Sequence, residues 1–132
     1  RYTRILLSIL ALGLLGVFAI AVWLQPDPRG YGTHQQLGLP PCQFRDWIGY
    51  PCPHCGMTTS FANVVRGRFS AAWRANPLGI VLAAVFAFSS VWCLSTSVSG
   101  RWVLTDQPFH WFIFMAIGYL VLSVVFWLLQ VF

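Results

Sequence analysis

The sequence contains no lysine and no glutamate: its eight basic residues are all arginine, and its acids are Asp27, Asp46 and Asp106. With 8% of 132 residues charged against 58% hydrophobic, it has too little ionisable surface for a soluble domain of this size, and the composition is that of a membrane chain. The arginines are scattered rather than gathered into a stripe, which excludes a nucleic-acid footprint. Internal repeats, low-complexity tracts and a CxxCH haem-attachment sequence are absent. So is an initiator methionine, which is compatible with a processed or partly covered N-terminus before Arg1.

What the chain has in quantity is apolar runs of spanning length. Ile5 to Leu24 supplies about twenty residues, enough to cross a hydrocarbon core of roughly 30 Å at 1.5 Å per residue. Arg1, Tyr2 and Arg4 flank one end and Trp23 the other, while Pro26 and Pro28 stop the helix. A cleaved signal peptide is the competing reading, but the run is too long for an h-region and lacks a small-residue cleavage site before Gln25. Two further spans are predicted, Leu78 to Val98 after Pro77 and Phe109 to Leu129 after a loop carrying Arg101, Trp102 and Asp106. Trp111 and Trp127 anchor the ends of the third. The expected fold is an all-α integral membrane protein forming one domain over residues 1–132, with spans at 1–24, 78–98 and 109–129.

Residues 25–77 hold nearly all the chemistry. Turn-forming glycines and prolines alternate there with Tyr31, Leu37, Phe44, Trp47 and Tyr50, which is too apolar for a disordered tether. Thr58, Thr59 and Ser60 suit a helix start running to Val65, and Phe69 to Ala75 reads as a second short helix lying in the interface. A simple three-span topology places Arg29, Arg45, Arg66, Arg68 and Arg74 on one face and Arg1, Arg4 and Arg101 on the other. A re-entrant segment from His54 to Val65 would instead carry the later arginines to the opposite face.

The centre of the loop is Cys52-Pro53-His54-Cys55-Gly56, with Cys42 upstream. A CPxCG turn has the form of a metal knuckle, two thiolates gripping one ion on a turn stiffened by proline. Cys42 is the third candidate ligand, because Leu39-Pro40-Pro41 presents it from a rigid turn. His34 is preferred as the fourth over His54, which lies between the two knuckle cysteines. Such a Cys3His set favours zinc, with iron second. The same letters read as a redox dithiol, Cys52 with Cys55 and Cys42 as resolving partner, although no βαβ pattern surrounds them. A structural disulfide that closes the loop is the third reading. Cys93 lies mid-helix and reads as packing, His110 as a boundary residue. The 17% aromatic content invites a pigment- or haem-associated subunit, but tryptophan and tyrosine are expected at membrane edges. Asn63, Arg66, Arg74 and Asn76 suit lipid phosphate, a partner, or helix capping.

Pro41-Cys42, Cys52-Pro53-His54-Cys55-Gly56-Met57-Thr58, Arg66-Gly67, Ala71-Ala72 and Arg74-Ala75-Asn76-Pro77 occur in an order that resembles a small bacterial membrane family catalogued as domain of unknown function 2752. Many members carry arginine where this chain has Thr59. The resemblance implies a multipass protein of the bacterial cytoplasmic membrane with the three cysteines acting as one site, and brings no reaction with it. The expected role is an accessory or structural module, a subunit of a larger membrane complex or a homo-oligomer in the bilayer. A membrane thiol-disulfide oxidoreductase is the alternative.

Overall fold

The computed structural model describes residues 2–104 and 107–132, so Arg1 and Asp106 lie outside the described residues. The described residues are helical, without strands, in the order α1 (Tyr2–Trp23), a 3-10 turn (Thr33–Leu37), α2 (Gln43–Ile48), α3 (Met57–Val64), α4 (Phe69–Ala75), α5 (Pro77–Ser99) and α6 (Pro108–Val131). α1, α5 and α6 are long and apolar enough to cross a membrane, as their runs predict. The cysteine-rich loop lies between the first and second spans.

α1 and α5 are antiparallel partners. Near one end Leu7 and Ala11 pack with Trp92 and Cys93, and near the other Ala21, Ala83 and Phe61 form a second cluster. Ala11, Ala21 and Ala83 are nearly fully buried, the small side chains that let two membrane helices approach closely. Ser8 and Ser97 are hydrogen-bonded at 2.7 Å, and the Ser97 hydroxyl also donates to the Arg4 carbonyl. Cys93 is buried in this seam as a small hydrophobe.

α6 is tied mainly at its two ends. Phe112 meets Trp92 edge-on at 5.6 Å near its start, and near its finish the Trp127 indole N–H donates to the Pro51 carbonyl at 2.6 Å. His110 and Trp111 are exposed at the start of α6, the boundary position read from the sequence.

α3 tucks beneath the loop. Phe61 sits between Phe18 of α1 and Phe86 of α5, each ring centroid 5.8 Å away. The chain then turns back, and Arg66 closes the end of α1: its guanidinium donates to the carbonyls of Ala21 at 3.1 Å and Val22 at 2.8 Å. These belong to the last turn of α1, whose carbonyls have no helical partner and carry the negative end of the helix dipole. Arg66 thus lies at the end of α1 from which the loop departs, with α3 packed against α1 and α5 there.

α4 matches its predicted span, with Phe69 and Trp73 exposed as an interfacial helix requires. The start of α3 differs from expectation. Its N-cap is Gly56 rather than a threonine or serine, because Thr59 and Ser60 are buried and committed elsewhere.

Candidate functional site

The CPHCG turn is built by its own backbone and then clamped. The Cys55 N–H donates to the Cys52 carbonyl at 2.9 Å and the Met57 N–H to the His54 carbonyl at 3.1 Å, a tight pair of turns that proline at position 53 pre-sets. Gly56 follows with φ of 79°, and an added Cβ would fall 2.5 Å from the carbonyl oxygens of both Gly30 and Ala75. Three segments therefore meet at one point that only glycine can occupy.

Asn76 is the clamp. Its side-chain oxygen accepts from the Leu78 N–H at 2.9 Å and caps α5, while its amide nitrogen donates to the carbonyls of Cys55 at 3.1 Å and Pro53 at 3.3 Å. Its own carbonyl accepts from the Ser60 hydroxyl at 2.8 Å. One buried residue thus joins the start of α5, the side of α3 and the cysteine turn. On the opposite side, the Thr59 and Thr33 hydroxyls are bonded at 2.6 Å, and Thr33 accepts from the Asp27 N–H at 3.0 Å. Asp27 also holds the Arg29 guanidinium through both carboxylate oxygens, which keeps its carboxyl down at about 2.

Cys42, Cys52, Cys55, His34 and His54 all line one cavity of about 440 Å³. Cys42 is the N-cap residue of α2. The backbone N–H of Arg45 favours its thiolate most, with further help from the Cys52 thiol and the Phe44 N–H. Cys52 is pushed up to about 11, first by burial and then by the neighbouring Cys42 thiol. Burial also raises Cys55, against the opposing charge of Arg45 beside it. No disulfide joins the four cysteines.

The histidines of this cavity have other contacts. His34 lies on the 3-10 turn with Nε2 3.2 Å from the Pro40 carbonyl, and His54 is exposed with its ring 6.1 Å from that of Tyr119. Among the described residues, no group of three histidine, cysteine or acidic side chains is gathered closely enough to hold a metal ion.

Arg45 and Tyr31, which the sequence did not single out as site residues, are part of the centre. The Arg45 guanidinium lies 4.1 Å from the centroid of the Tyr31 ring, and Arg29 lies 5.1 Å from it. The clue available was a tyrosine two residues from one arginine in a loop too apolar to be a linker.

The clamped segments coincide with the stretch that carries the short motifs. Residues 42–90 match the model of the family described as Protein of unknown function (DUF2752). The similarity runs from Cys42 through α2, α3 and α4 into α5, and includes both Gly56 and Asn76. No curated protein and no solved structure matches the chain. The ordered motifs now have physical roles: the glycine after the second cysteine admits two carbonyls, the arginine of Arg66-Gly67 closes α1, and the asparagine of Arg74-Ala75-Asn76-Pro77 clasps the turn.

Proposed function

We propose that this chain is an accessory module of the bacterial cytoplasmic membrane, a small subunit of a larger assembly, whose loop is locked or released by the chemistry of Cys42 and Cys52. The observation that carries the reading is that Cys42 and Cys52, on either side of the exposed helix α2, line one cavity. α2, between them, buries none of its residues and is tied down by Arg45 on Tyr31 and by the edge contact of Phe44 with Trp127. A cross-link there closes a loop of about ten residues and removes about 3 kcal/mol of chain entropy from the released state.

The exchange partner is a disulfide of a protein or small thiol. The Cys42 thiolate attacks one of its sulfurs and expels the other as a thiolate. Cys52, on losing its proton, attacks the Cys42 sulfur of the mixed disulfide and expels the remaining thiolate. The incoming disulfide leaves as two thiols, and the two-electron oxidation stays on the chain as the Cys42–Cys52 bond.

A metal knuckle is the second reading, favoured by the common cavity that His34, Cys42, Cys52 and Cys55 line. Thiolates with one imidazole suit zinc first and iron second, and the four side chains would have to draw together to complete the set. One experiment separates the readings: elemental analysis of the full chain in detergent, beside a thiol count with and without chelator and after mild oxidation. Loss of two thiols on oxidation, with a Cys42–Cys52 peptide after digestion and no bound metal, supports the thiol pair. Stoichiometric zinc, with the thiols released together by chelator and the metal lost in Cys52→Ser, rejects it in favour of the knuckle.

A further inference from the structure

A second cavity, of about 530 Å³, shares Arg29, Tyr31, Arg45, Cys52 and Cys55 with the first and extends from the cysteine turn to the end of α4 and the end of α6. Its wall carries three arginines, Arg29, Arg45 and Arg74, and no acid. Asp27 engages only the first of them, and that is the sole ion pair among the described residues. Arg45 is stacked on Tyr31, which orders its planar fork without neutralising it. Arg74 projects from a short interfacial helix with its side chain exposed. The remaining wall is apolar where it meets the spans, with Trp73 from α4 and Phe126 from α6.

Arg29, Arg45 and Arg74 line one open space beside the start of α5 and the end of α6, where Asp27 pairs with Arg29 and no acid lines the wall against Arg45 and Arg74. Guanidinium forks match the oxygens of phosphate in pairs, and an apolar flank at the membrane level suits a ligand with a hydrocarbon part. We propose that Arg29, Arg45 and Arg74 form a phosphate-binding site, and that its ligand is the headgroup of an anionic phospholipid whose tails run along Trp73 and Phe126. The site is independent of the Cys42–Cys52 reading, since it requires neither oxidation nor metal.

The test uses the full chain in detergent. Native mass spectrometry with added phosphatidylglycerol is run beside a separate titration with inorganic phosphate followed by phosphorus NMR line broadening. The expected result is retention of one phosphatidylglycerol, weakened about tenfold or more in Arg74→Gln and again in Arg45→Gln, and weakened by added salt. Arg101→Gln, at the other end of the spans, leaves retention unchanged. Arg74→Gln alters only an exposed side chain, so it reads binding even if Arg45→Gln loosens the loop, and unfolding midpoints of each variant check this. Inorganic phosphate bound with the same arginine dependence, without lipid, supports the phosphate site and assigns it a soluble ligand. Lipid retained equally by all variants, or no binding of either probe, overturns the proposal.

Discussion

Replacing Asn76 tests whether the cysteine turn is held by its neighbours or holds itself. Alanine at this position removes the cap on the Leu78 N–H, worth about 1 kcal/mol, and leaves the Pro53 and Cys55 carbonyls without their amide donor, about 1 kcal/mol each. The sum is about 3 kcal/mol, roughly two decades in the folding equilibrium. Asn76→Ser keeps an oxygen for the cap and loses only the clasp, so it should cost about 2 kcal/mol. Asn76→Asp also keeps the cap, and even improves it at a helix N-terminus, but turns an oxygen toward two carbonyls and should open the turn. Stability is read by SDS-induced unfolding in mixed micelles, and opening of the turn by the alkylation rates of Cys52 and Cys55 under native conditions. Alkylation in Asn76→Asp should rise more than its loss of global stability accounts for. Wild-type stability and wild-type thiol protection in Asn76→Ser would show that the amide donor contributes nothing and refute the clamp.

Gly56→Ala combines a left-handed backbone with overlap against two carbonyls and should lower stability by about 3 kcal/mol in the same unfolding assay. Arg66→Gln should cost about 2 kcal/mol by uncapping α1, with Arg66→Lys recovering only part, since one ammonium cannot span the Ala21 and Val22 carbonyls as the fork does. Mild oxidation should cross-link Cys42 with Cys52 in Cys55→Ser and fail in Cys42→Ser, read by peptide mapping. The carboxyl of Asp27 is depressed in the folded chain to about 2, so its contact with Arg29 contributes fully above the ordinary value of 3.8 and is lost as pH falls toward 2. Asp27→Asn should abolish that acid dependence of the Gly30 region, followed by amide exchange, and leave neutral-pH behaviour nearly unchanged because the pair is at the surface.

Much of this architecture was legible from composition. A span announces itself because lipid requires about twenty apolar residues in a row, and Pro77, Trp23 and Trp127 mark ends by steric and interfacial rules that act locally. α4 was legible for the same reason, as an amphipathic segment with aromatic and arginine residues at helical spacing. α2 was not, since six residues with no buried side chain leave no periodic signature. The start of α3 was misread because threonine and serine satisfy both a local cap and a tertiary hydrogen bond equally well, and only the packing of Thr33 and Asn76 chose between them.

The candidate site divides in the same way. That Cys42, Cys52 and Cys55 belong to one place was readable from the loop that joins them, and the structure places them along one cavity. Their common cavity was not readable, because it depends on where α2 lies relative to the turn, a matter of long-range contacts at Tyr31 and Trp127. The amino-acid sequence by itself determined a three-span membrane chain with its polar chemistry between the first two spans, because hydropathy and helix punctuation are properties of neighbours along the chain. Only the tertiary structure decided that Arg66 closes α1, that Asn76 clasps the cysteine turn, and that Cys42 and Cys52 line one cavity. Each of those choices depends on donors and acceptors more than twenty residues apart or on how a surface loop is laid down, and residue spacing carries no record of either.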